Sequence, residues 1–266
     1  MGVANEVLDV AVSVAVEAAE LASRSRPEAI QDVGTKSSKT DVVTAADLAV
    51  ERLVRSRLAS LRPGEPVFGE ETGGATAAPG ELCWVVDPID GTVNYLYGFP
   101  WYAVSLAAQV DGVSVAGVVV EPASGRRWTA VRGEGAWLDG RPLRVSDASR
   151  LELSLIGTGF AYQAERRARQ AAGVAQLLPR VRDIRRAGAA SLDLCAVAAG
   201  WLDGYFEHNL SRWDWAAGAL VAEEAGAVVR LPDTAGDGLG DLTMAAAPGI
   251  ADELRAAVID VGLDQA

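Results

Sequence analysis

The stretch Trp84-Val85-Val86-Asp87-Pro88-Ile89-Asp90-Gly91-Thr92 constrains this chain more than any other. Leu82 to Val86 is a short apolar run bounded by turn residues, the pattern of a buried strand. Pro88 removes a backbone donor and biases Asp87 towards an extended conformation, so the strand is expected to end at Asp87, with Asp90 across a tight turn. Gly91 allows close approach of the backbone to a ligand, and free N–H groups at Gly91 and Thr92 would suit an anion if a helix starts there. Carboxylates and an anion site coexist only with cations between them, which points to an oxygen-loving divalent metal, magnesium first. Taken alone, Asp-Pro-Ile-Asp-Gly is also what an ordinary surface turn looks like.

The rest of the chain decides between these readings. Its 266 residues are 50% hydrophobic, enough for one large α/β domain or two intimately packed halves. No apolar run is long enough to span a bilayer, and the acid-dotted N-terminus is neither a signal nor a transit peptide, so no membrane role and a cytoplasmic location are expected. A formal charge of −12 argues against nucleic acid as a partner. Cys83 and Cys195 sit in apolar surroundings and read as buried free thiols, while His208 is the single histidine, which excludes a His-rich metal site.

Helical spacing of Val3, Val7, Val10, Val14, Ala18 and Leu21 predicts a helix over 3–24, ended by Pro27. A polar loop, 34–40, holds the only lysines, Lys36 and Lys39. Thr44 to Asp47 reads as a capping box opening a helix through Leu61. A strand at Val67-Phe68 ends in Gly69-Glu70-Glu71, and 72–80 is a small-residue loop. Alternating segments at 101–110, 113–121 and 127–131, separated by Asp111-Gly112 and Ser124-Gly125, predict an antiparallel meander, with another turn at Asp139-Gly140. Beyond about residue 150, strands at 153–157, 181–186, 203–207, 227–231 and 242–246 mix with helices at 165–178, 189–199, 213–225 and 252–261. That change of style suggests an N-terminal α+β subdomain, 1–150, and a C-terminal α/β subdomain, 151–266, sharing a core with catalysis at their junction.

Acids recur at element ends: Asp47, Glu70, Glu71, Asp87, Asp90 and Asp214. Singly, each has an ordinary reading as a cap, a dipole partner or a solvated loop residue. Together, Gly69-Glu70-Glu71-Thr72, the Trp84–Tyr95 stretch and Trp213-Asp214-Trp215-Ala216-Ala217-Gly218 resemble the metal-site motifs of the inositol monophosphatase family. Asp41 to Asp47, Gly188 to Cys195 and Asp203 to Glu207 extend the match over nearly the whole chain.

The resemblance implies a layered α-β-α-β-α sandwich of the inositol monophosphatase and fructose-1,6-bisphosphatase type, usually a homodimer. It implies two or three Mg2+ ions and a water nucleophile. Glu70, Asp87, the Ile89 carbonyl and Thr92 correspond to ligands of a first metal, and Asp87, Asp90 and Asp214 to those of a second. Asp47, Thr92 and Glu70 correspond to the groups that orient the water, and Gly91 and Thr92 to the phosphate cradle. Glu207, Gly188 and Ala190 match the substrate pocket, with Asp90 beside it; Arg185 resembles an arginine near that glutamate, and Lys36 a lysine of a mobile loop beside the metals. Val93 departs from a frequent threonine but leaves Thr92 in place, and Tyr95 to Pro100 favours a small phosphorylated polyol, myo-inositol monophosphate, as substrate. Fructose 1,6-bisphosphate, 3′-phosphoadenosine 5′-phosphate and histidinol phosphate are the alternatives, and a metal-binding regulatory protein is the non-enzymatic one. Asp233, Asp237 and Asp241 are spaced by four, which reads as a solvated loop and not an EF-hand.

Overall fold

The computed structural model describes residues 3–32, 45–75, 77–232 and 239–265. The polar loop with Lys36, the Thr44 end of the capping box, and Asp233 and Asp237 lie outside them. Two helices open the chain, α1 (Val3–Asp32) and α2 (Ala45–Leu61), followed by β1 (Val67–Gly69), β2 (Leu82–Asp90) and the short helix α3 (Thr92–Leu96). The expected meander is formed by β3 (Ala103–Val110), β4 (Val113–Glu121) and β5 (Arg126–Val131), and continues into β6 (Gly135–Leu138) and β7 (Arg141–Pro142). Then come β8 (Leu155–Thr158), α4 (Ala164–Leu177), β9 (Asp183–Arg185), α5 (Ala190–Ala198), β10 (Gly204–His208), α6 (Arg212–Glu224), β11 (Val228–Arg230), β12 (Leu242–Ala246) and α7 (Ala251–Asp260).

Strands β1 to β7 form one sheet in chain order, with β1 parallel to β2 and every later pair antiparallel. The second sheet runs β11-β12-β10-β8-β9, parallel at β10/β8 and β8/β9. Three apolar clusters glue the layers. One packs Val7, Val14 and Ala18 of α1 and Val50 and Val54 of α2 on Trp84, Val86, Leu106 and Val118 of the first sheet. The second sandwiches α5 and α6, through Leu192, Cys195, Leu220 and Val221, between Val85 and Val119 of that sheet and Tyr205 and Ala245 of the other. The third covers the far face of the second sheet with Leu177 at the end of α4 and Leu254 and Val258 of α7. The order is therefore α-β-α-β-α, as the resemblance implies. Burying both faces of both sheets explains why their strands read as near-continuous apolar runs.

Two local expectations fail. Helix α1 runs through Pro27 to Asp32. Proline removes one helical hydrogen bond, but Arg26 just before it donates to the carbonyls of Tyr95 (3.0 Å), Asn94 (3.1 Å) and Phe99 (2.5 Å) and lies 4.4 Å above the Tyr102 ring, so tertiary contacts hold the helix past the break. Strand β2 does not end at Asp87 but continues to Asp90. Asp87 faces Ser105 and Asp90 faces Ala103, so two residues, Pro88 and Ile89, oppose only Val104. The proline, having no N–H to offer the ladder, sits in a bulge.

Candidate active site

The bulge builds the centre of the site. Side chains alternate along a regular strand, so residues three apart would point to opposite faces. The extra residue cancels one alternation, and both Asp87 and Asp90 share the face of Ser105 and Ala103, towards α5 and α6. Parallel pairing of Gly69 with Val86, continued by the Glu70 N–H to Val86 carbonyl bond of 3.2 Å, sets Glu70 next to Asp87. From the other half of the chain, Asp214 enters in the first turn of α6, where it closes a capping box and accepts from the Ser211 N–H at 2.6 Å. One carboxylate oxygen from each of Asp87, Asp90 and Asp214 lies within 4.8 Å of the others. Asp47, buried in the first turn of α2, and Glu70 complete the acid group.

Gly91 turns the chain with φ of 85°, and a Cβ there would press within 3.1 Å of Ala189 Cβ and Trp101 O. Thr92 then opens α3, its hydroxyl donating to the Ile89 carbonyl at 3.1 Å, so these two oxygens stand together. Asp90 accepts from Ala190 N–H (3.2 Å), Ser191 N–H (2.7 Å) and the Ser191 hydroxyl, which ties β2 to the start of α5. Asn94 clasps the same junction, donating to the carbonyls of Trp101 and Ala187 at 2.8 Å.

The electrostatics are those of a site short of positive charge. Burial pushes Asp87 well above the usual carboxylate range, and the charges of Glu70, Asp90 and Asp214 add to it. Asp214 is raised by burial and then by Asp90 and Glu70. Burial also raises Asp90 against its bonds to Ser191 and Ala190. Glu70 reaches about 7 through burial and the charges of Glu71, Asp47 and Asp90, opposed by a hydrogen bond with Asp87. No ion pair joins any of these four acids to an arginine among the described residues. Crowded carboxylates with a carbonyl and a hydroxyl beside them form an all-oxygen donor set, which fits hard divalent cations such as Mg2+.

Glu207 on β10 faces the cluster from the second sheet. Its carboxyl accepts from the Tyr205 hydroxyl at 2.5 Å and is pushed to about 7 by burial, with Tyr205 and Arg186 opposing. Arg185, expected beside it, instead pairs with Asp183 at 2.6 Å on the exposed side of β9. The arginine whose charge acts on Glu207 is the next residue, Arg186. Its Nη1 would lie only 2.3 Å from a Cβ at Gly188, which has φ of 91°. Gly188 and Ala190 sit at the junction with Gly91 and Asp90. His208 is a buried residue of β10 whose charge burial disfavours, and is not part of the cluster.

In the sequence, Asn94 and Ser191 have a place in the motifs but no role, nothing marks Arg186, and Gly159 falls only within a stretch, 157–162, expected to govern selectivity. A Cβ at Gly159 would meet the Glu207 carboxyl at about 2 Å, so that glycine makes room for the glutamate. The only available signal was Gly-Thr-Gly at the end of a strand.

The family model of the "Inositol monophosphatase family" matches residues 4–261. The chain belongs to the inositol monophosphatase family. Members of it are metal-dependent phosphatases, and this chain is an enzyme of that phosphoric-monoester hydrolase type. It is 54% identical to an inositol-1-monophosphatase of Mycobacterium leprae, covering 94% of this chain and 92% of that protein. It is 43% identical to a Pseudomonas aeruginosa protein named Nus factor SuhB, covering 84% of each. The solved structure of Mycobacterium tuberculosis SuhB superposes with a TM-score of 0.84 at 45% identity, covering 97% of both chains. The layered fold and the family expected from the motifs are thereby confirmed. Among the described residues, no helix is long and apolar enough to cross a membrane.

Proposed function

We propose that this enzyme hydrolyses myo-inositol monophosphate to inositol and phosphate, using a water nucleophile and Mg2+. The observation that carries the reading is the triad of Asp87, Asp90 and Asp214, gathered within 4.8 Å by a strand bulge and a helix start, with Glu70 alongside. Glu70, Asp87, the Ile89 carbonyl and Thr92 would hold one cation, and Asp87, Asp90 and Asp214 another. Such cations supply neutralisation of the phosphate dianion and acidification of the attacking water.

The remaining work belongs to the chain's own groups. Asp47 and Thr92 orient and polarise the water beside Glu70, whose carboxylate takes up its proton. The backbone amides of Gly91 and Thr92 hold the phosphate oxygens, in a transfer that asks mainly for positioning and electrostatics. Glu207, Gly188 and Ala190 bind the polyol, whose hydroxyls a glutamate accepts well. The M. leprae relative's name supports inositol 1-phosphate over the other phosphate esters.

The test is a panel of inositol 1-phosphate, fructose 1,6-bisphosphate, 3′-phosphoadenosine 5′-phosphate and histidinol phosphate, ranked by kcat/KM with magnesium. Inositol 1-phosphate should lead, and lithium should inhibit. A different leader would overturn the substrate, and no turnover on any ester would overturn the hydrolase reading.

The name Nus factor SuhB carried by relatives favours a second, partner-binding role. Comparing proteins retained by the wild type and by Asp90→Asn would separate that role from catalysis. The reading also places the protein in the cytoplasm as a homodimer, and sedimentation would check its mass.

A further inference from the structure

We infer that Glu51 and Arg55 of α2 form a brace that positions the Glu70 turn for cation binding. Glu51 is fully buried, one helical turn beyond Asp47 on the same face of α2. Its carboxylate accepts from the Glu71 N–H (2.8 Å), the Thr72 N–H (3.3 Å) and the Thr72 hydroxyl (2.5 Å). Arg55, one more turn along, donates to Glu51 Oε1 through Nε at 2.8 Å. Its two terminal nitrogens reach Val67 O (2.9 Å) and Gly73 O (2.5 Å), one on each side of the turn.

The turn is shaped to receive this brace. Gly69 and Gly73 exchange backbone hydrogen bonds of 2.9 and 3.0 Å, which closes a loop with Glu70 at its corner. A Cβ on Gly69 would lie 2.6 Å from the Glu51 carboxyl, and one on Gly74 would lie 2.1 Å from Val67 O, so glycines are required at both places. Glu70 keeps part of its surface open to solvent while its carboxyl sits among the buried acids, and its backbone bond to Val86 and its carboxyl contact with Asp87 place it. Without the brace, the carboxylates around it would repel it from the cluster. A buried carboxylate that takes three donors from one short turn fixes that turn's conformation in advance, so cation binding need not order it.

The inference rests on the proposed cation site, and its test separates the two. Mg2+ is titrated calorimetrically into metal-free wild type, Arg55→Met, Thr72→Val and Glu51→Gln, without substrate, and each melt is recorded. Loss of partners that orient a ligand weakens metal binding by about 10–100-fold. That range is expected for Arg55→Met and Glu51→Gln, with a smaller loss for Thr72→Val. The KM for inositol 1-phosphate at saturating Mg2+ should stay at the wild-type value. Should Glu51→Gln fail to fold, the other two variants keep Glu51 and decide the matter. Variants with wild-type Mg2+ affinity, whatever their melting temperature, would overturn the brace. Wild type without Mg2+ binding would overturn the cation site, and the brace with it.

Discussion

At the scale of single residues, the two arginines after Ile184 make the sharpest contrast. Arg185 is the last residue of β9 and pairs with Asp183 on the solvent side. Arg186 follows, and its charge stabilises the Glu207 carboxylate. Arg185→Ala is expected to leave KM unchanged and stability within about 0.5 kcal/mol, the usual result for an exposed pair. Arg186→Ala is expected to raise KM for inositol 1-phosphate about tenfold, the worth of one charge-assisted hydrogen bond. Steady-state kinetics on both variants checks this, and equal effects would refute the assignment. Gly91 is the other telling position. With φ of 85° and neighbours at 3.1 Å, Gly91→Ala is expected to cost about 1–3 kcal/mol in a denaturant melt. A substitution that proves neutral would mean the turn relaxes freely and is no fixed cradle.

At the scale of elements, the site depends on one irregularity and two helix starts. The bulge at Pro88-Ile89 turns two acids to the same face, and the first turn of α6 brings the third. The apolar run of β2, the meander and the turns at Asp111-Gly112 and Asp139-Gly140 were legible because they follow local rules; φ is positive at all four of those turn residues. The bulge was not legible, because it exists only relative to the register of β3, which no local pattern encodes. For the same reason a reading based on Pro27 stopped α1 too early. The stabilising partners of Arg26, at 94, 95 and 99, lie about seventy residues away. Likewise, which of Arg185 and Arg186 enters the pocket depends on where β9 ends, and one residue's difference reverses the side. The metal-ligand candidates were legible through motif resemblance, whereas the groups that hold them, Ser191, Asn94, Glu51 and Arg55, were not, since their roles arise from contacts between distant segments.

At the scale of the whole molecule, the five layers bring acids from both sheets and two helices to one place, and the concentration of negative charge has a cost. Glu70 has its folded-state pKa raised from 4.5 to about 7, and Asp87 and Asp214 are raised as well. A carboxyl raised in this way favours folding while protonated, and that contribution is lost as the pH climbs through the folded-state value. Metal-free protein should therefore lose melting temperature between about pH 4.5 and 7, and the gain on adding Mg2+ should grow over the same interval. Thermal melts with chelator and with Mg2+ across that range check this. Glu70→Gln should show a shallower slope, and a slope equal to wild type would show that Glu70 is not a source of the effect.

The central claim is that the carboxylates gathered by the β2 bulge hold the cations on which hydrolysis depends. Its most direct test is phosphate release from inositol 1-phosphate by chelator-treated protein as Mg2+ is added back, in wild type and in Asp90→Asn. No release is expected without the ion, with saturable recovery in the wild type and a loss of about a hundred- to a thousandfold in Asp90→Asn, of the size seen when a main electrostatic contributor is removed, while its melt still shows a cooperative fold. Release that is indifferent to Mg2+, or an Asp90→Asn variant that turns over like the wild type, would contradict it.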